Sequence, residues 1–120
     1  MGRSYKDLVV WQKSMELVTA IYGATRTFPK DELFGITAQL RLAAVSIPSN
    51  IAEGQGRLSE KEFRFFLGQA RASLMEVETQ IQMAANLGYL GTEDTRKYLE
   101  ACAEVGRILK RTHFVGNPRS

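Results

Sequence analysis

Arg57, Lys61, Arg64 and Arg71 follow one another at spacings of four, three and seven residues, which stacks side chains on one face of a helix. If helical geometry extends back to Arg57, the four fall within about 80° of one another and make a basic strip. Arg107, Lys110, Arg111 and Arg119 add cations near the C-terminus, where no acidic residue follows Glu104. Lysine and arginine gathered on one face are the footprint of phosphate contacts, and Phe65 beside the strip offers a ring for an unpaired base. The competing reading is a solvated charged face: the net charge is only +3, and Glu60, Glu62 and Glu104 neutralise part of the strip.

Catalytic chemistry has little to stand on. His113 is the single histidine, and near a helix end it reads as a solvated cation rather than a base. The lone Cys102 has no partner for an internal bridge and reads as a small buried hydrophobe. Glu76 and Glu78, two apart, cannot share a helix face, and no Glu-x-x-His pair is present for a di-iron site. Gly54-Gln55-Gly56 lacks the strand context of a dinucleotide fingerprint and reads as a helix stop. The expectation is a protein with no enzymatic activity, cofactor, metal or small-molecule substrate.

These residues need elements to position them, and the pattern is helical throughout. A chain of 120 residues without repeats suits one domain. Helices are expected at about 7–26, 31–53, 59–86 and 93–113, with a mobile tail at 115–120. In the first, Trp11, Met15, Val18 and Tyr22 step along one face. Ile36, Leu40, Ala43, Ile47 and Ile51 form the inner face of the second, which Pro48 interrupts at the loss of one backbone hydrogen bond. Ser59-Glu60-Lys61-Glu62 is a capping box opening the third. Its core face is Phe63, Phe66, Leu67, Ala70, Leu74, Val77, Ile81 and Ala84. Tyr98, Cys102, Val105, Ile108 and Leu109 serve the fourth. Short linkers make sequence neighbours antiparallel, giving an all-α, up-down-up-down four-helix bundle. No window has the length and apolarity of a membrane span, and the expected location is the cytoplasm.

The third helix is apolar on two sides. Leu58, Phe65, Ala72 and Met83 run opposite the core face, Phe65 pointing about 160° away from Phe63. Val10, Leu17 and Ile21 make a milder second stripe on the first helix. Either the buried faces are broad and the remainder is scattered surface, or the second stripe of the third helix is an oligomer interface. On the second helix Gln39, Ser46, Asn50 and Glu53 lie within about 60° of one another. They read as a solvated face or as a hydrogen-bonded network at a helix or subunit contact.

The segments Asp7-Leu8-Val9-Val10-Trp11-Gln12-Lys13, Phe34-Gly35 and Gln39 through Arg57, centred on Ser46-Ile47-Pro48-Ser49-Asn50-Ile51-Ala52-Glu53-Gly54, resemble a family of bacterial four-helix bundles. So do Glu78-Thr79-Gln80 and Leu87-Gly88-Tyr89-Leu90. The founding members of that family are encoded within intervening sequences of large-subunit ribosomal RNA genes. The resemblance implies a homopentameric ring, and it extends to the accessory protein of diversity-generating retroelements, a basic bundle that associates with nucleic acid and a reverse transcriptase. In that pattern the position after Arg41 is usually basic; here it is Leu42. The expected role is RNA or other nucleic-acid binding through Arg41, Arg57, Lys61, Arg64, Arg71, Arg107, Lys110 and Arg111, by a homo-oligomer. The alternative is a protein-interaction scaffold.

Overall fold

The computed structural model describes residues 4–115, with side chains to residue 112. A 3-10 turn at Tyr5–Asp7 leads into helix α1, Val9–Thr25, and a second at Lys30–Glu32 precedes α2, Ile36–Gln55; α3 is Glu60–Asn86 and α4 is Thr92–Val115. Among the described residues there is no strand. Residues 116–120 of the expected tail, and with them Arg119, lie outside the described residues, as does the side chain of His113.

Local chemistry sets the ends of α3. Ser59, in extended conformation, accepts from the Glu62 amide at 3.1 Å, and its hydroxyl donates to the Glu62 carboxylate at 3.2 Å. At the other end Gly88 has φ +80°, the left-handed conformation that costs a residue with a Cβ. The Tyr89 amide reaches back to the Ala84 carbonyl and the Gly88 amide to Ala85, at 2.9 and 3.0 Å, completing a helix-closing motif. The start of α2 lies later than the pattern suggested, at Ile36 instead of residue 31. Gly35 carries non-helical torsions, φ −106° and ψ −120°. A Cβ there would stand 2.6 Å from a Glu32 carboxylate oxygen, and Tyr89 holds that carboxylate by donating to its other oxygen at 2.8 Å.

Each helix packs on its sequence neighbours, and α1 closes the ring against α4. Contacts fix the directions. Ser46 meets Ser73 while Gly54 meets Phe66, so α2 and α3 run antiparallel. Gly106 meets Leu74 while Glu78 acts on Cys102, so α3 and α4 do too. The result fits a four-helix bundle. Its core holds Leu40, Ile47 and Ile51 of α2, Phe63, Leu67, Val77 and Ile81 of α3, and Cys102, Val105 and Leu109 of α4, all essentially without exposed surface. Each such large side chain contributes roughly 1.5–3 kcal/mol by leaving water. α2 continues as helix through Pro48 with no cis peptide.

Helix α1 corrects the expected phase. Its buried residues are Val10, Ser14, Leu17, Ile21, Ala24 and Thr25, whereas Met15 and Tyr22 are each 40% exposed and Trp11 and Val18 only packed against the core's edge. The stripe of larger side chains is the rim. Two polar residues disguise the true core face, and both are satisfied within the helix. Ser14 donates to the Val10 carbonyl at 2.6 Å and Thr25 to that of Ile21 at 2.8 Å.

Candidate nucleic-acid interface

The register of α3 against α4 brings basic residues together across a seam. The Leu74 side chain stands 3.4 Å from where a Cβ on Gly106 would lie. One turn toward the start of α3 is Arg71, and one turn toward the end of α4 is Lys110; in an antiparallel pair these face each other. Arg64 continues the flank two turns below Arg71, about 10.5 Å along the helix. Arg107 and Arg111 are exposed on the same end of α4. Among the described residues, Lys61, Arg64, Arg71, Arg107, Lys110 and Arg111 take part in no ion pair, so their charge faces solvent rather than a carboxylate. Glu60 and Glu78 are the acids on this flank of α3.

Arg57 does not join that line. Helical geometry does not extend back to it: α3 begins at Glu60, and Ser59 is extended at φ −113° and ψ 148°. Arg57 instead docks on the end of α2. Its guanidinium pairs with Glu53 at 2.6 Å, lies 3.9 Å from Glu62, and covers the Phe66 ring at 4.9 Å. Phe66, placed in the core by periodicity, is half-buried beneath it. The corner closes tightly because residue 54 is glycine. A Cβ there would come within 2.9 Å of the Phe66 Cβ and 3.3 Å of the Phe63 carbonyl. Arg57, Lys61, Glu62, Phe65 and Phe66 together wall an open hollow of about 510 Å³. Gly54 and Phe66 shape it, and the sequence signal for them was a helix-stop glycine followed by adjacent aromatic residues.

Arg41 lies elsewhere, between α1 and α2. Its Nε donates to Thr25 at 2.8 Å and its guanidinium sits 4.7 Å from the Tyr22 ring centre, so it braces a helix pair away from the seam. The polar side chains of α2 are a network in part. The Ser46 and Ser73 hydroxyls are 2.7 Å apart, and Asn50 donates to the Ser46 carbonyl and hydroxyl at 2.8 and 2.9 Å. Glu53 pairs with Arg57, and Gln39 is exposed.

The outer stripe of α3 is exposed in the single chain. On the helix itself Phe65 is 58% accessible and Met83 46%, with Ala72 exposed beside them; Leu58, 98% accessible, precedes the extended Ser59 and so falls off the stripe on which the spacing had placed it. Met75 shares this face at 55%, an addition that its i+3 spacing from Ala72 could have indicated. The Phe65 ring packs edge-on against Phe66 at 5.2 Å and 85°.

Beside these surfaces lies the one cysteine of the chain. Cys102 is fully buried, and burial first, then the nearby Glu78, pushes its thiol up to about 12, which suppresses the reactive thiolate. Among the described residues no three acidic, histidine or cysteine side chains converge as metal ligands would. No described helix is long and apolar enough to cross a membrane.

Comparison with known proteins gives a match to the 23S rRNA-intervening sequence protein family over residues 6–111. No curated protein sequence matches the chain. Among solved structures, a protein with unknown function from the S23 ribosomal protein family of Bacteroides thetaiotaomicron superimposes with a TM-score of 0.82. It is 22% identical, over 88% of this chain and 98% of that one, a likeness that speaks for the fold.

Proposed function

The chain belongs to the 23S rRNA-intervening sequence protein family, and on that premise we propose that it is a non-enzymatic, self-associating RNA-binding protein of the cytoplasm. It holds the sugar-phosphate backbone along the α3–α4 seam. The observation that carries this reading is the contact of Leu74 with Gly106, from which helix geometry sets Arg71 and Lys110 on the same seam, with Arg64, Arg107 and Arg111 on its flanks and no ion pair to any of the five among the described residues. Cations without carboxylate partners keep their full attraction for phosphate and exchange condensed counterions for it. Lys61 extends the surface toward the hollow. Arg41 and Arg57, each engaged within the fold, steady the elements instead.

Self-association uses the exposed α3 face of Ala72 and Met83, with Met75 beside them, and gives a ring of five copies. Phe65, about 10.5 Å nearer the start of α3 than Ala72, is assigned to the hollow that it walls rather than to this contact. Repeating a weak basic seam around a ring raises avidity wherever one RNA reaches several copies. Light scattering of the wild type and of Met83→Asp tests this part; an unchanged particle mass removes Met83 from the contact.

Fluorescence anisotropy across a salt series tests RNA binding, with Arg64→Glu/Arg71→Glu alongside. On single strands log K falls by about 0.7 per neutralised phosphate per log unit of salt, so the double variant should bind weakly with a shallower slope. Intact oligomer that binds no RNA at low salt sinks the proposal. The second reading, a protein-interaction scaffold, is favoured by Phe34 and Leu42, 92% and 73% exposed away from the seam; it would then be preferred.

A further inference from the structure

We infer that the hollow at the α2–α3 corner takes one unpaired base of the RNA, stacked on Phe65, while Lys61 at its rim holds the adjoining phosphate. This rests on the RNA-binding reading and names the part of the RNA that the corner reads. Three observations carry it.

The first is an exposed aromatic ring backed by a second one. Phe65 is 58% exposed, yet its ring is set at 85° to Phe66. Phe66 is pinned in turn, by the Arg57 guanidinium above it and by the close approach of Gly54 behind it. A ring backed on one side by another offers its open face for a base to stack on.

The second is how charge is distributed in the hollow. Arg57 is neutralised by Glu53 and lies near Glu62, and the Glu62 carboxylate is itself held by the Ser59 hydroxyl. A phosphate deep in the hollow would meet Glu62 and a guanidinium already engaged. A flat, uncharged base meets the Phe65 ring instead. Lys61, in no ion pair among the described residues, is the cation left for the backbone outside.

The third is continuity with the seam. Lys61 and Arg64 are one helical turn apart on α3, so a strand laid along Arg71 and Arg64 meets Lys61 next, at the rim of the hollow. Paired bases in an A-form duplex are stacked on one another and cannot enter; only a loop, bulge or single strand presents one.

The test is anisotropy with a 12-nucleotide single-stranded RNA and a blunt duplex of the same length. Wild type, Phe65→Ala and Phe65→Trp are compared, with particle mass followed by light scattering. Phe65→Ala should weaken single-strand binding about tenfold, leave duplex binding within about twofold, and keep the particle mass; Phe65→Trp should restore the single-strand affinity. The inference is overturned by equal loss on both RNAs, by no loss on either, by wild-type binding to duplex alone, or by a fall in particle mass with Phe65→Ala, which would make Phe65 a subunit contact. Wild type that binds neither RNA overturns the RNA-binding reading itself and the base site with it. Binding of both RNAs with no effect of Phe65→Ala removes the base site and leaves that reading standing.

Discussion

Helices α1 and α3 both carry two apolar stripes, yet the bundle uses them in opposite ways. In α3 the longer stripe, Phe63 through Ala84, is buried and the shorter one faces solvent. In α1 the stripe of larger side chains, Trp11, Met15, Val18 and Tyr22, is the rim, and the plainer Val10, Leu17 and Ile21 go inward. Period alone says that a helix has faces; it does not say which face the neighbours cover. Small residues decide it in α1. Ser14 and Ala24 let the helix approach the core closely, and Ser14 is satisfied by its own backbone before it gets there. Large half-polar rings such as Trp11 and Tyr22 serve better at a margin, where the apolar body is covered and the polar tip stays wet.

Substitutions can break this contrast, beginning with the largest effect. Ile21→Ala should lose about 2–5 kcal/mol in denaturant unfolding, whereas Tyr22→Ala next to it should lose about 1 kcal/mol or less, mainly its contact with Arg41. Comparable losses at both positions would show that both stripes of α1 are core. The matching pair in α3 is Leu74→Ala against Met75→Ala, with the same ordering expected from exposures of 4% and 55%. Gly54→Ala sharpens the comparison at the corner. Its new methyl meets a backbone carbonyl that cannot move aside, and an overpacking loss of about 1–3 kcal/mol is expected. A neutral result would mean that α2 and α3 can part there.

The smallest effect is at the opposite end of the bundle. The hydrogen bond to Glu32, followed by burial, raises the Tyr89 pKa above its ordinary 10.0. Because the folded value is the higher one, this stabilisation is full below about pH 10 and is lost as pH rises through the folded value. Tyr89→Phe should flatten that alkaline limb of a stability-against-pH curve while leaving the curve's shape near neutrality unchanged. An alkaline limb as steep as in the wild type would assign the loss to another group.

The four helices, the capping box and the core faces of α2 and α3 were legible from spacing, because long helices repeat their signal many times. What escaped depended on geometry between segments. The phase of α1 was hidden by Ser14 and Thr25, whose polarity vanishes only once their hydroxyls are seen bonded inside the helix. The later start of α2 depends on Gly35, Glu32 and Tyr89 meeting across two connections. The basic strip was drawn through Arg57 on an assumption of continuous helix that Ser59 interrupts. The register that sets Arg71 and Lys110 on one seam follows from Leu74 meeting Gly106, a contact between two helices that no periodicity within one segment can register.

The single thiol of the chain turns the seam into something that can be timed. Cys102 is sealed between α4 and its neighbours with its thiol pushed up to about 12, so a thiol reagent reaches it only while α4 stands away from the bundle. The labelling rate therefore counts those excursions in the native protein, with no probe added. An RNA bridging Arg71 and Lys110 would clamp the same joint and slow the count, since a ligand of the closed state suppresses opening by mass action. An RNA held on any face that does not span the joint would leave it running at its own pace.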